Sequence, residues 1–290
     1  MKLLLKFNLI FLLIFALGLG ASALVARDLL RANAREEVLD RARLIMESAT
    51  AVAGYTSTQI APLLLPQLDT SFLPQSVPSY SATEVLAAIG RTRPEYEYKP
   101  ATLNPTNERD LAQKWEAEVI NRFRADSTMD EFVGERDKLS GRSLFVARPI
   151  RISDAACLRC HSTPLAAPAS LIEKYGSIHG FGWNHNETVG ARIVSVPMSV
   201  PLARAEHAFK VVIGLLAAAF GVIGLVLNLM LWWLVIRPVS QLSALADRVS
   251  LGELDAPDYT VNSRDEIGVL SNSVARMRRS LVHAMKLLER

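Results

Sequence analysis

Two long uncharged segments constrain the fold of this chain most strongly. Residues 7–26 and 211–236 contain no charged side chain, and the two segments are 20 and 26 residues long. About 20 apolar helical residues cross the ~30 Å hydrocarbon core of a bilayer. Trp232 and Trp233 lie near the end of the second segment and Arg237 follows it, as is common at a membrane interface. The sequence therefore predicts two membrane spans that enclose one folded region, residues 27–208.

The first segment has two interpretations. Lys2 and Lys6 followed by an apolar stretch and the small residues 21–23 fit a cleavable signal peptide. The next residues, however, place apolar side chains at steps of three and four, which indicates one helix leaving the membrane: Leu30, Ala34, Val38, Ala42, Ile45, Ala49 and Val52. This continuity favours an uncleaved anchor over residues 1–26 rather than a signal peptide.

The charge pattern sets the expected orientation. Basic residues close to the membrane favour the cytoplasmic side, and Lys2, Lys6 and Arg237 flank the two spans. We therefore expect an inner-membrane protein of a bacterium, with residues 27–208 in the periplasm, a span over 209–236 and a cytoplasmic region over 237–290.

The composition excludes several classes of protein. Half of the residues are apolar and 21% are charged, which excludes an intrinsically disordered chain. The net charge of +3 is too small to indicate a nucleic-acid partner. Two cysteines cannot form a disulfide-stapled scaffold.

The enclosed region is predicted to be an α+β domain. A capping pattern at Ser81 predicts a helix over residues 81–90, and Asn107 is placed to cap a second helix. Between them, Pro94, Pro100 and Pro105 are expected to break regular structure. Residues 143–152 and 189–200 are rich in β-branched side chains and predict strands. Helices followed by strands indicate an α+β architecture, of which a PAS-like sheet is one example.

The chemistry of the chain is concentrated in one motif. Cys157-Leu158-Arg159-Cys160-His161 is a C-x-x-C-H sequence, the attachment signature of c-type haem. Two thiols at this spacing can form thioethers with one porphyrin, and the adjacent imidazole can bind its iron. A disulfide or redox-active thiol pair is the main alternative, since the predicted compartment is oxidising. A zinc site is less favoured because no second Cys/His pair with ligand spacing follows.

A family resemblance follows from this motif and its surroundings. Residues 144–150, the motif itself, Phe181-Gly182-Trp183 and residues 189–198 resemble the haem-binding, PAS-like domain of bacterial c-type haem sensors. The resemblance implies one covalent haem c, attached to Cys157 and Cys160 with His161 as the proximal iron ligand. It also implies sensing of redox state or of a small gas.

The sequence does not identify the sixth iron ligand. Some members of that family use a distal cysteine, but both cysteines of this chain are assigned to the thioethers. Met46 is the favoured candidate because a thioether suits a c-type haem. The alternatives are an open or water-bound iron and the other outer sulfur and imidazole side chains: Met129, Met198, His179, His185 and His207.

Further side chains are candidates for the haem surroundings. Phe181 and Trp183 are expected either to wall the haem or to pack in an ordinary core. Arg148 or Arg159 could pair with a haem propionate, since a guanidinium binds a carboxylate with two hydrogen bonds. Both arginines could equally be solvated surface charges.

The region after the second span has the pattern of two amphipathic helices joined by a short connector. Pro238 opens an amphipathic helix that Gly252 and Pro257 interrupt, and a capping pattern at residues 263–266 starts a second helix. The second helix has the apolar spacing of a coiled-coil seam: Ile267, Leu270, Val274, Met277, Leu281, Ala284 and Leu288. This region resembles a HAMP domain, including its Asp265-Glu266-Ile267-Gly268 element. Two short amphipathic helices cannot bury their apolar faces alone, so we expect a homodimer that acts on a cytoplasmic partner.

The sequence thus predicts a non-enzymatic, homodimeric haem sensor in the membrane. It would detect redox state or a gaseous ligand in the periplasm and pass the signal through the HAMP helices. A membrane-anchored monohaem cytochrome for electron transfer is the alternative function, and a thiol oxidoreductase is the enzymatic alternative.

Overall fold

A computed structural model describes residues 2–139, 141–253 and 263–288. The strands are β1 (Glu97–Thr102), β2 (Phe132–Lys138), β3 (Gly141–Arg151) and β4 (Thr188–Pro197). The helices are α1 (Lys2–Tyr55), α2 (Ala61–Leu64), α3 (Pro78–Thr92), α4 (Lys114–Ala125), α5 (Leu158–His161), α6 (Ala169–Tyr175), α7 (Ser199–Leu231), α8 (Arg237–Ser250) and α9 (Glu266–Leu288). They form two compact units, residues 25–209 and residues 1–24 with 210–290.

Both apolar segments form continuous helices that extend well beyond the expected spans. The helical stretches containing them run over Leu4–Gln67 and Ser199–Ser250, and both are long and apolar enough to cross a membrane. Together with the relay helices described below, they indicate a membrane-anchored protein. Helix α1, Lys2–Tyr55, includes both the first apolar segment and the amphipathic pattern that follows it.

One polar pair joins the two apolar helices. The Asn8 amide donates to Asn228 Oδ1 at 2.9 Å, and the Asn228 amide donates to Asn8 Oδ1 at 2.7 Å. Phe15 and Phe220 meet edge to face nearby in the same unit, with ring centroids 4.5 Å apart. Amides in a hydrocarbon layer must find partners within the protein, so this pair ties the two helices together at one level.

The unit of residues 25–209, which we term the outer domain after its expected location, is built on one antiparallel sheet of order β1-β4-β3-β2. The strands predicted at 143–152 and 189–200 are confirmed as β3 and β4, and they lie at the centre of the sheet. The sequence missed β1, because Pro100 argues against a strand. Pro100 lies opposite Arg192 in the register of β1 with β4. Since β1 is an edge strand, a residue without an N–H donor is tolerated there.

Each face of the sheet packs against a different helix. On one face, α1 contributes Val38, Ala42 and Met46 to a cluster with side chains of β3 and β4. On the other face, α4 contributes Val119, Ile120 and Phe123. The predicted α+β architecture between two apolar helices is therefore confirmed.

Two helix starts differ from the sequence prediction. Helix α3 begins at Pro78 instead of residue 81, and the Ser81 hydroxyl donates to the Gln75 carbonyl instead of capping the helix. Asn107 caps only the short turn Glu108–Asp110. Helix α4 begins at Lys114, where the Glu116 carboxylate accepts the Gln113 N–H at 2.7 Å. The pattern located both helices but placed their caps on the wrong polar residue.

The relay region consists of α8 and α9, with Leu245 and Val249 packed against Val274. The sequence pattern predicts the cap of α9 at Ser263. In the structure the Asp265 carboxylate accepts the Gly268 N–H at 3.0 Å, so the cap lies two residues later. Pro257 lies outside the described residues, as does the side chain of Leu288.

Candidate haem-attachment site

The C-x-x-C-H residues occupy a short helical turn between β3 and β4. The Asp154 carboxylate accepts the Ala156 N–H at 2.8 Å and starts the turn Ala155–Cys157, which leads directly into α5. Cys157 and Cys160 are free and half-buried. Residues three apart lie on one side of a helical turn, so both thiols can reach the same group.

A backbone carbonyl orients His161. Its Nδ1 lies 2.7 Å from the carbonyl oxygen of Gly180. A carbonyl only accepts hydrogen bonds, so Nδ1 carries the proton and Nε2 keeps its lone pair. Burial lowers the pKa of His161 and the Gly180 contact opposes this, so the imidazole is held neutral. A neutral imidazole with a free Nε2 and an anchored Nδ1 is the form that binds a metal.

The loop that presents the Gly180 carbonyl is docked on the chain that follows β1. The Gly180 N–H donates to Asn104 Oδ1 at 3.2 Å, and the Asn104 amide donates back to the Phe181 carbonyl at 3.2 Å. Gly180 has a φ of +84°, and a Cβ at this position would collide with the Thr106 side chain. A glycine is therefore required here, both for the backbone angle and for the close approach.

Phe181 and Trp183, the two candidates for a haem wall, both lie beside the motif. The Trp183 and His161 rings are stacked, with centroids 3.9 Å apart and planes 15° from parallel. Phe181 and Cys160 pack against one hydrophobic group, which we term the motif cluster. Its members are Leu68, Phe72 and Leu171, with Val77, Cys160, Ala167, Tyr175 and Phe181 around them.

The surroundings of both thiols raise their pKa and so favour the protonated form. Burial raises the pKa of Cys157, and Asp154 raises it further. Burial also raises the pKa of Cys160, although Arg159 opposes the effect. Reactive redox cysteines have a lowered pKa, because the thiolate is their nucleophile. The environment of this pair therefore differs from that of a thiol oxidoreductase.

A polar group that sequence reasoning missed borders the motif cluster. Tyr175, a member of that cluster, interacts electrostatically with Arg109 and Asp110, and Asp110 interacts with Tyr98. Burial raises the pKa of Asp110 to about 6 and that of Tyr98 to about 12. Arg192 of β4 lowers the Tyr98 pKa in opposition. These residues are far apart in the sequence, and no local spacing connects them.

Arg192 has an unusual feature within that polar group. Its Nη1 donates to Thr50 Oγ1 at 3.3 Å, whereas its Nε is buried without a hydrogen-bond partner. Among the described residues, only Thr106 Oγ1 and Arg151 Nε share this property. A buried guanidinium N–H without an acceptor is costly, so an acceptor from outside the chain would fit here.

Met46 is not brought to the motif. Its side chain is fully buried in the cluster formed by α1 with β3 and β4, where Leu144, Val146 and Val194 are also fully buried. Met198 belongs to this same cluster, and Met129 packs on the opposite face of the sheet. The remaining alternatives are exposed: His179, His185 and His207.

The two predicted propionate partners lie in different surroundings. Arg148 forms ion pairs with Glu47 at 2.7 Å and Glu131 at 3.0 Å, so its charge is already matched within the protein. Arg159 is exposed on the motif helix itself. In the part of the chain that the structure describes, no three His, Cys, Asp or Glu side chains are grouped so that they could hold a metal ion.

Comparison with known proteins gives two family matches. The Tll0287-like family model matches residues 31–197, and the HAMP domain model matches residues 230–283. A solved structure, the crystal structure of the cyanobacterial heme-protein Tll0287, is similar at 18% sequence identity. The similarity covers 57% of this chain and 91% of that chain, with a TM-score of 0.36. No curated protein matches the chain.

Proposed function

The chain belongs to the Tll0287-like family, and from this premise we propose that it is a membrane-anchored c-type haem sensor that signals through its HAMP domain. The observation that carries the proposal is the geometry of His161, whose Nδ1 is fixed by the Gly180 carbonyl directly beside two free thiols. This arrangement supplies two attachment points and one oriented iron ligand within five consecutive residues.

We assign the attachment of one haem c to Cys157 and Cys160. Cys157 and Cys160 would hold the porphyrin through two thioethers, each formed by addition of the S–H across one vinyl group. His161 would be the proximal iron ligand through its Nε2, because its Nδ1 is engaged with the Gly180 carbonyl. When bound, the haem supplies a redox-active iron that can also take a small ligand. The raised pKa of both thiols supports structural attachment instead of thiol exchange.

The surroundings of the motif suit a porphyrin. Phe181, together with the apolar side chains of the motif cluster, supplies a wall beside Cys160, and Trp183 holds the His161 ring by stacking. Arg192 is the partner we assign to a haem propionate, because its buried Nε lacks an acceptor. Met46 is not included among the proposed ligands because core side chains enclose it.

The proposed topology follows the charge pattern. Residues 27–208 lie in the periplasm, where bacterial c-type haem is attached, and the HAMP helices lie in the cytoplasm. The two apolar helices anchor the chain in the inner membrane.

The relay helices support a homodimer. In one chain, Val274 of α9 packs against α8, whereas Leu270, Met277 and Leu281 are 44%, 48% and 43% exposed. These three residues follow the seam spacing of a coiled coil, so a second copy of α9 would cover them. We propose that a change of redox state or ligation at the iron shifts the packing of the outer domain. Helix α7 would pass this to the relay helices as a displacement between two packed states, which a separate cytoplasmic partner reads.

Covalent attachment is tested by the spectrum of the denatured protein. The full chain is expressed in a host competent for cytochrome c maturation, and haem absorbance is recorded on the band in a denaturing gel. We expect retained haem in the wild type and in the control Arg159→Ala, which changes an exposed residue inside the motif. Cys157→Ser combined with Cys160→Ser should lose it. A wild-type band without haem would overturn the proposal and leave a thiol pair.

The relay is tested by cysteine crosslinking in membranes. A cysteine replaces Leu281 on the seam, and a matched variant replaces Asn272, which is exposed off the seam. We expect the crosslinking yield at position 281 to differ between ferric and ferrous protein, with little crosslinking at position 272. An equal yield in both states, together with rapid reduction by quinol, would contradict signalling and favour the electron-transfer cytochrome.

A further inference from the structure

A cavity lies on the face of the sheet that packs against α4. Its volume is about 290 Å³. It lies under the start of α4 and is bordered by β1, β2 and β4. Five charged side chains and one aromatic side chain line it: Glu97, Lys99, Glu116, Arg136, Lys138 and Trp115.

This cavity is separate from the motif cluster and from the α1 face. Side chains alternate along β4, so Ile193 and Ser195 line the cavity, whereas Val194 and Val196 pack with Met46 of α1 on the opposite face. The sheet therefore separates the cavity from α1, and none of the cavity residues belongs to the motif cluster.

The floor of the cavity holds a buried ion pair. Glu116 is only 4% exposed, and its Oε2 accepts from Lys99 Nζ at 2.8 Å and from the Gln113 N–H at 2.7 Å. Lys99 also donates to the Leu111 carbonyl at 2.7 Å, which accounts for two of its three N–H donors. The negative charge of Glu116 is thus matched inside the protein, and Lys99 retains one donor.

The wall of the cavity presents a second cation on an aromatic support. The guanidinium of Arg136 lies over the Trp115 ring, 3.7 Å from its centroid. Trp115 is itself held edge to face by Phe145, with centroids 5.1 Å apart. Stacking uses the flat face of the guanidinium, so its N–H edge is left to bind a carboxylate through two hydrogen bonds.

The side chains that line the cavity carry more positive than negative charge. Lys138 pairs with Glu97 at 2.6 Å, and the Glu97 side chain is 59% exposed to solvent at the rim. With Lys99 and Arg136, three cations face two carboxylates, so the cavity carries one positive charge in excess. A ligand with a single negative charge would complete the balance, and Trp115 and Ile193 offer it an apolar contact.

We propose that this cavity is a binding site for a small organic carboxylate, held by Arg136 and Lys99. The volume admits about ten non-hydrogen atoms at the ~30 Å³ that a water-sized group occupies. The carboxylate lies against the Arg136 edge and the remaining Lys99 donor, and the body of the ligand lies on Trp115. This site is independent of haem attachment.

The position of the site connects it to the membrane helix. Ser195 lies on β4, and the Met198 N–H at the end of that strand donates to the Arg142 carbonyl at 2.9 Å. Helix α7 begins at the next residue, Ser199. A ligand bound against β4 therefore acts on the strand that leads directly into α7. A carboxylate with different affinity for the two relay states would be a second input to the same output.

Binding is tested by calorimetric titration of the full haem-loaded chain in detergent. The probes are acetate, butyrate, succinate and benzoate at constant pH and ionic strength, with 1-butanol and butylamine as the neutral and cationic analogues of butyrate. We expect at least one carboxylate to bind in the micromolar to millimolar range and both analogues to give no heat of binding. No binding by any of the four carboxylates would overturn the proposal.

The site itself is tested by variants of Arg136. Arg136→Met keeps an unbranched apolar side chain over Trp115 but removes the charge, and we expect affinity for the binding carboxylate to fall at least tenfold. Arg136→Lys should retain part of the affinity, which keeps the test valid if the methionine variant folds poorly. Arg142→Met is the control, since Arg142 is an exposed arginine on a neighbouring strand and does not line the cavity. Equal affinity in the wild type and both Arg136 variants would place the ligand elsewhere.

The haem spectrum separates this proposal from the proposed function. Binding in this cavity should leave the haem absorption bands unchanged, whereas a carboxylate bound to the iron would shift them and contradict the assignment. The double variant Cys157→Ser with Cys160→Ser, which should lack haem, should still bind the carboxylate, because the two sites share no residue.

Discussion

Substitution of Met46 distinguishes a packing role from a ligand role. The side chain is fully buried, and the structure surrounds it with Val38, Leu144, Val146 and Val194. Replacing a buried methionine by alanine removes three side-chain heavy atoms and leaves a cavity, at a cost of about 2–5 kcal/mol. Leucine is close to methionine in volume, so Met46→Leu should cost less than about 1.5 kcal/mol.

These free energies translate into measurable melting temperatures. For a folded region of this size, 1 kcal/mol shifts the midpoint by about 2–4 °C. Met46→Ala should therefore lower Tm by about 4–20 °C, and Met46→Leu by no more than about 6 °C. Leu44→Ala is the control on the same helix, because Leu44 is 68% exposed and should leave Tm unchanged.

The absorption spectrum of the ferric protein supplies the second readout. If Met46 only packs, the haem bands of Met46→Leu should match those of the wild type. A methionine bound to ferric iron gives a characteristic charge-transfer band, and leucine cannot replace its sulfur. Loss of such a band in Met46→Leu would refute the packing argument and place Met46 on the iron, and an unchanged Tm in Met46→Ala would contradict it as well.

Three further predictions follow from the structure. Gly180→Ala should undock the loop that orients His161 and lower the haem content per protein, because the added Cβ collides with the side chain and Cα of Thr106 and the φ of +84° disfavours any residue with a side chain. Burial raises the pKa of Asp110 to about 6, so its contribution to stability is present near pH 4 and is lost as the pH rises through 6. After discounting for partial exposure, Asp110→Asn should gain about 1–2 kcal/mol relative to the wild type between about pH 4 and pH 7, measured by urea unfolding. Asn228→Leu should cost about 1 kcal/mol by leaving Asn8 unpaired, and the double leucine variant should recover the thermal stability in detergent.

Part of the candidate haem site could be predicted from the sequence because that part is formed by neighbouring residues. The spacing of Cys157, Cys160 and His161 is a property of five consecutive residues, and a short helical turn is enough to present them. Phe181 and Trp183 also lie beside the motif, because both follow it closely along the chain and the loop returns to it, and their role as a haem wall stays a prediction.

The parts of the site that the sequence did not predict depend on residues that are distant in the chain. The Gly180 carbonyl that fixes His161 is a backbone group, and no residue type signals it. The glycine itself was visible in the sequence, but its requirement arises from the approach of Thr106, a residue on a different strand connection. The unpartnered Nε of Arg192 likewise depends on how β4 is buried, not on any neighbour in the sequence.

Met46 shows the difference between a correct pattern and an assigned role. The periodicity of α1 correctly indicated a buried stripe that includes Val38, Ala42 and Met46. Periodicity gives the face of a helix but not what covers that face, and here the cover is the sheet. A sulfur atom on a buried stripe was therefore compatible with both packing and ligation until the strands were placed.

The sequence by itself determined the two apolar helices, the α+β class of the enclosed domain, the attachment motif and the relay helices. Each of these depends on length, period or spacing within one segment, where short-range sterics and hydrophobicity decide the outcome. Only the tertiary structure decided the edge strand that contains Pro100, the carbonyl partner of His161, the core position of Met46 and the cationic cavity beneath α4. These depend on groups that are distant in the chain and meet through the packing of the sheet, and the free energy of such contacts is not encoded in any single segment.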